Sequence, residues 1–196
     1  MTTTKHEAAA GVTLEAAREL ERAKYVRLQE EVPNYGGTNH GKNAYSVISE
    51  MECVREEVNI VDLGCGKNNF VSECRELGMA GVGVDFAYPQ ADILAPMHET
   101  GLEAGVYTVV TAFDSLEHLL PDEVTLVLHE MRRIAAPAAL FVASISHTRS
   151  RIQVEGQNLH PTIRSRNWWR TLLSEWIDLQ DDEPNGYIVG RFKQDD

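Results

Sequence analysis

The segment Val58-Asn59-Ile60-Val61-Asp62-Leu63-Gly64-Cys65-Gly66 constrains this chain more than any other. An apolar run with no polar alternation reads as a strand covered on both faces, as in parallel sheets. It ends at an acid and then at two glycines one residue apart, where the lack of Cβ atoms lets backbone come close to a ligand. A helical stretch follows from Asn68 to Leu77, and then a second strand, Gly81-Val82-Gly83-Val84-Asp85. Strand, helix, strand is the implied unit, with a ligand-approach turn at its first junction.

The rest of the chain repeats that alternation. A strand is expected from Val106 to Phe113, a helix from Pro121 to Ile134 and a strongly apolar strand from Ala139 to Ile145. Near the end, a helix from Arg166 to Glu175 precedes two strands, Trp176 to Leu179 and Tyr187 to Phe192. These can pair antiparallel across the turn formers Asp181 to Gly186. The expected fold class is α/β: a doubly wound, mainly parallel sheet with helices on both faces and an antiparallel C-terminal strand pair. Ahead of it, Leu14, Ala17, Leu20, Tyr25 and Leu28 share one face of a helix over Leu14 to Glu31, ended by Pro33. A turn-rich loop, Pro33 to Gly41, leads to a second helix from Asn43 to Cys53. With 196 residues, the chain fits one core. Residues 1–57 read as helices and a ligand-covering loop of the same domain as the core, 58–196.

Asp85 ends the second strand about twenty positions after the glycine turn, where a carboxylate can accept hydrogen bonds from ribose hydroxyls. A glycine used only for turn geometry and a strand ending in Asp by chance form the bland alternative. A dinucleotide fold would place a third glycine at Asn69, and none follows until Gly78, which disfavours nicotinamide or flavin.

Three separated stretches together resemble class I, Rossmann-like S-adenosylmethionine-dependent methyltransferases. Val61-Asp62-Leu63-Gly64-Cys65-Gly66 is similar to their first motif, and Gly83-Val84-Asp85 to their second-strand acidic motif. Ala112-Phe113-Asp114-Ser115-Leu116-Glu117-His118-Leu119 is similar to their strand-four segment. The resemblance covers residues 58 to 145 well and implies S-adenosylmethionine as cofactor. It implies that Gly64 and Gly66 approach the methionine part with Asp62 nearby, that Asp85 holds the ribose, and that Asp92 accepts the adenine amino group. Phe113 closes the fourth strand on the cofactor side. Only seven positions separate Asp85 from Asp92, so the helix usual after the second strand must be very short or missing. The upstream loop with Tyr35, Asn39, His40 and Gly41 suits a segment folded over the cofactor, or else an ordinary capped turn.

Methyl transfer from a sulfonium is an in-line displacement, which asks mainly for positioning, with a base where the acceptor carries a proton. His118, with Glu117 beside it and one helical turn beyond Asp114, is the leading base; His147 and His40 are the others, and a structural role for His118 is the alternative. The strand-four residues Phe113-Asp114-Ser115-Leu116 depart from the patterns of DNA base methyltransferases. No carboxylate set of the catechol type is present, so no metal is expected.

The formal net charge of −12 disfavours duplex DNA as partner. Within this acidic chain, Arg149, Arg151, Arg164, Arg166 and Arg170 cluster with His147 and His160 after the fifth strand. They suit a small or medium anionic acceptor such as a nucleotide, phosphorylated sugar or acid, or else pair internally with Asp and Glu. Trp168 lies off the apolar face of its helix and is a further acceptor contact. Other readings are a non-catalytic S-adenosylmethionine-binding regulatory module, or methylation of a nucleic-acid end or sugar. The three cysteines, Cys53, Cys65 and Cys74, match no zinc or redox spacing, and Cys65 reads as a small packing residue. No secretory signal or membrane span is apparent, so a cytoplasmic location is expected.

Overall fold

The computed structural model describes residues 13–32, 34–51 and 57–194. Pro33 and Cys53, the expected ends of the first two helices, lie outside them. Five strands run parallel in chain order: β1 (Asn59–Leu63), β2 (Ala80–Asp85), β3 (Ile93–Leu94), β4 (Tyr107–Phe113) and β5 (Ala135–Ser144). A small hairpin, β6 (Gln153–Val154) and β7 (Gln157–Asn158), follows, and then β8 (Ile177–Leu179) and β9 (Ile188–Phe192). The main sheet has the order β3-β2-β1-β4-β5-β9-β8, with β9 antiparallel to both of its neighbours. The fold class read from the sequence is the one observed.

The helices are α1 (Leu14–Glu31), α2 (Ala44–Met51), α3 (Asn69–Glu76), α4 (Val124–Ile134) and α5 (Arg166–Leu173). Successive strand residues face opposite sides, and the buried residues divide accordingly. Ile60, Val109, Leu140 and Val142 join the cluster beneath α2 and α3, with Val47, Ile48, Val71 and Cys74. Val61, Val110, Phe141 and Ala143 join the cluster beneath α4 and α5, with Leu128, Met131, Trp169 and Leu173. Helix α1 stands apart: its buried Tyr25 and Leu28 pack with Ala87, Tyr88, Val154 and Leu159, over the end of β2 and the β6–β7 hairpin. Among the described residues, no helix is long and apolar enough to cross a membrane.

Local chemistry accounts for the boundaries. Thr13 caps α1 by accepting from Ala16 N at 3.2 Å, and Ser165 caps α5 by accepting from Trp168 N at 3.2 Å. Strand β5 starts at Ala135, ahead of the expected Ala139, through an irregular stretch: Pro137 has no N–H to give the ladder, Ala138 sits at φ 56°, and the register against β4 shifts. No helix forms between β2 and β3; the chain turns at once, and Asp92 N bonds Gly83 O at 3.0 Å. The β6–β7 hairpin was not legible as strand. Its two-residue turn is Glu155-Gly156, at φ 51° and 76°, the pairing that suits a tight hairpin.

Candidate active site

Strand order reverses between β1 and β4, and open α/β sheets bind ligands outside the carboxyl ends of the strands at such a point. A cavity of about 750 Å3 lies there. Its floor is the turn after β1. Gly64 and Gly66 have φ of 81° and 53°, and a Cβ on Gly64 would lie 2.5 Å from Ser115 Cβ and 2.6 Å from Met97 Cε. Only glycine fits without displacement.

Two buried acids stand beside that turn. Asp85 accepts from Gly66 N at 3.1 Å on one oxygen, and from Ala87 N at 2.8 Å and Tyr88 N at 3.1 Å on the other. Burial still raises its carboxyl above the ordinary carboxylate range. Asp62 accepts from the Thr111 hydroxyl at 2.7 Å, and burial pushes it up to about 7, the Thr111 bond opposing and the Asp85 charge adding.

The loop between α1 and α2 is bonded to the same turn. Gly36 O accepts from Lys67 N at 3.2 Å, and Gly37 O from Asn69 Nδ2 at 2.8 Å. The loop brings Tyr35, Asn39 and His40 to the cavity. Asn39 Oδ1 and Tyr88 OH, both on cavity residues, are buried without a hydrogen-bond partner. Buried polar atoms left this way are rare in native proteins and mark places where a ligand can bond.

The opposite wall follows β4. His40 Nδ1 lies 2.5 Å from Asp114 Oδ2. That hydrogen bond raises the imidazole against the opposing effect of burial. Burial works against ionisation of Asp114, but His40 outweighs it and holds the carboxyl low. Glu117 is fully buried; Oε1 accepts from Ser146 N at 2.8 Å and Oε2 has no partner. Burial pushes this carboxyl up to about 8. His118 Nδ1 meets both the Tyr25 hydroxyl and, at 2.7 Å, Leu159 O. Burial, aided by His160, pushes its imidazole down to about 4, so it is neutral at pH 7.

Of the residues singled out in the sequence, Asp62, Gly64, Gly66 and Asp85 line the cavity on one side, and Tyr35, His40, Phe113 and His118 also line it. Asp92 does not: one of its oxygens accepts from Gly83 N at 2.8 Å, Arg75 Nη2 at 2.8 Å and Asn68 Nδ2 at 3.0 Å. Of the basic segment, His160 lines it and the arginines do not. Arg149 and Arg151 are exposed. Arg164 lies over the Trp168 ring, 5.4 Å from its centroid. Glu183 pairs with both Arg166 and Arg170. His147 is half-buried away from the cavity, near Arg166. Internal pairing thus engages Arg166 and Arg170, the alternative open from sequence. Sequence reading missed Tyr25, Tyr88 and Ser146 as cavity residues and gave His160 no role beyond local basicity. Tyr25 looked like one apolar position of an amphipathic helix, and no local pattern marked the others.

Residues 7–182 match a family model described as a methyltransferase domain. No curated protein sequence matches significantly. Among solved structures, the chain is similar to 1,6-didemethyltoxoflavin-N1-methyltransferase of Burkholderia thailandensis. The TM-score is 0.72 at 15% identity, over 96% of this chain and 94% of that one. It is also similar to the PH0226 protein of Pyrococcus horikoshii (0.67, 15%, 85% and 99%). A third similarity is to phosphoethanolamine N-methyltransferase 2 of Haemonchus contortus (0.58, 11%, 89% and 46%). At these identities the structural likenesses speak for the fold, whereas the family model spans most of the sequence: the chain belongs to the methyltransferase-domain family, whose cofactor is S-adenosylmethionine.

Proposed function

We propose that the chain methylates a small, flat, neutral or cationic acceptor bearing an ionisable N–H or O–H, with His40 as base. The observation that carries this reading is the set of ionisable groups around the cavity. Asp62, Asp85, Asp114 and Glu117 line it, and no Lys or Arg is among its described lining residues. An anionic acceptor, the expectation drawn from the arginine segment, would find no guanidinium or ammonium group there to pair with, and His40 is already held by Asp114. The same placement removes support from a nucleic-acid end as acceptor. Tyr25, Tyr35, Phe86 and Phe113 give the cavity aromatic walls, which favour flat rings and cations.

The cofactor fits what the chain offers. The glycine cradle admits a ligand where a Cβ would intrude, and Tyr88 OH and Asn39 Oδ1 are unbonded polar atoms at the same cavity. We assign Gly64, Gly66, Asp62 and Asp85 to holding it, with Tyr35 and Phe113 as apolar covers. When bound, S-adenosylmethionine supplies an electrophilic methyl group on a sulfonium. Of the three histidines considered from sequence, His147 is away from the cavity, and His118, held near pKa 4, is a weak base. His40 is oriented by Asp114 through Nδ1, which leaves Nε2 to take the acceptor's proton.

The test is a product screen by mass spectrometry with S-adenosylmethionine and matched sets of acceptors: flat neutral phenols and heteroaromatics, aromatic amines, and phosphorylated or carboxylated counterparts. Methylation is expected in the neutral and cationic sets. Methylation confined to the anionic set would overturn the reading.

A further inference from the structure

Glu117, His118 and His160 form a group of three metal-ligand side chains whose potential ligand atoms all lie within 4.8 Å of one another. We propose that this group is a binding site for one divalent transition-metal ion, Zn2+ by preference, held by two imidazoles and one carboxylate. The proposal goes beyond methyl transfer and does not depend on the acceptor assigned above.

Three independent features of these side chains suit that role. The first is the state of each imidazole. Leu159 O and Thr148 O can only accept, so their contacts with Nδ1 of His118, at 2.7 Å, and Nδ1 of His160, at 2.6 Å, favour the ring proton on Nδ1 in both, with the Tyr25 hydroxyl donating to Leu159 O at 3.1 Å. Each ring then offers an unprotonated Nε2, fixed in orientation by a backbone carbonyl. This is the arrangement that ligating histidines adopt, with the second nitrogen donating to an outer partner. Tyr25 OH adds a second contact to Nδ1 of His118. The second feature is Glu117. It is fully buried, Oε1 is fixed by Ser146 N at 2.8 Å, and Oε2 has no hydrogen-bond partner at all. A bare carboxylate oxygen in a buried site is costly unless something cationic or protonated meets it. The third is access: all three residues line the cavity, so an ion on three protein ligands would keep a coordination position open to a bound molecule.

The donor set decides the ion. Two imidazoles with one carboxylate suit zinc and related first-row ions, whereas Mg2+ and Ca2+ favour oxygen ligands throughout. Both histidines sit edge to face, ring centroids 4.6 Å apart. Around an ion with zinc bond lengths of about 2.0–2.2 Å, tetrahedral ligand atoms stand about 3.3–3.6 Å apart, so binding would draw these atoms, now up to 4.8 Å apart, together by about 1 Å. The expectation of no metal rests on the lack of a catechol-type carboxylate set, which says nothing of an imidazole site. His160 reaches His118 through the β6–β7 segment, and that proximity is invisible in the linear order.

The experiment is calorimetric titration of the chelator-treated full chain with Zn2+ and separately with Mg2+, on wild type, Glu117→Gln and His160→Ala. Co2+ absorption provides an independent readout of imidazole ligation, and thermal melts report whether each variant folds. One equivalent of Zn2+ is expected to bind wild type and to bind each variant at least about tenfold more weakly, with Mg2+ ineffective. Absence of Zn2+ binding, or Zn2+ binding of wild-type strength in the folded His160→Ala protein, would overturn the site. The readout is metal occupancy, so failure here would leave the methyltransferase reading intact.

Discussion

The Gly66 N–H donates to Asp85 Oδ2 at 3.1 Å, tying the turn after β1 to the carboxyl end of β2. The two residues that mark this fold in sequence therefore shape each other. Ala87 N and Tyr88 N take up the second oxygen. An amide at this position has only one accepting oxygen, so in Asp85→Asn at least one backbone N–H faces an NH2 group. That change should cost about 1–3 kcal/mol of stability and weaken S-adenosylmethionine binding at least about tenfold. Calorimetry and thermal melts measure both, and unaltered affinity would remove Asp85 from the cofactor site.

Gly64→Ala tests the cradle through sterics alone. At φ 81° an L-residue is strained, and its Cβ would collide with Ser115 and Met97. A loss of about 1–3 kcal/mol is expected, together with loss of cofactor binding. Gly78→Ala is the control: its φ of 86° carries the same backbone strain, but a Cβ there meets nothing within 4 Å. It should lower the melting temperature and leave cofactor binding as it was.

These two tests bear on what the sequence made legible. Strands β1, β2 and β4 read clearly because both their faces are buried, and Gly64, Gly66 and Asp85 because local geometry demands them. Of the cavity's far wall, Phe113, His118 and His40 read from the strand-four motif and the upstream loop, but the rest did not, because it is assembled from distant segments. His160 depends on the β6–β7 hairpin, whose two-residue strands carry no periodicity, and Tyr25 arrives on a helix that packs across the end of β2. The arginine cluster was legible only as local basicity. Its residues adjoin in sequence, yet Glu183 pairs with Arg166 and Arg170 on α5, away from the cavity.

Glu117 gives the metal-free protein a distinctive pH response. Its carboxyl is raised from 4.5 to about 8, chiefly by burial. The unfolded chain therefore ionises first, and the contribution to stability, complete below the unfolded value, is lost as pH rises through the folded one. Glu117→Gln removes that dependence. Relative to wild type, the variant should gain stability between about pH 4.5 and 8, at no more than about 1.4 kcal/mol per pH unit. Urea melts across this range measure the difference, in which the similar contribution of Asp62 cancels. Parallel curves for the two proteins would show that Glu117 is ionised in the native state throughout.

His40 and Asp114 come from separate parts of the chain, the loop before α2 and the end of β4, and meet at 2.5 Å. The bond to Asp114 raises His40 above its ordinary value of 6.5, burial opposing. A base must be unprotonated to act, so kcat should rise with pH along a limb whose midpoint lies above that value. Asp114→Asn removes the charge that favours the imidazolium, and the limb should move to lower pH. The maximum rate should also fall, because the amide no longer enforces the Nδ1–H tautomer. His40→Gln should lose about 100-fold or more in kcat at pH 7, with cofactor affinity retained because the cofactor-holding groups stand at the glycine turn. The kcat–pH profiles of the three proteins, taken with an acceptor from the product screen, decide the matter. A limb that stays in place in Asp114→Asn would mean that the titrating base lies elsewhere, and a His40→Gln enzyme of wild-type rate would mean that the acceptor loses its proton without help from this pair.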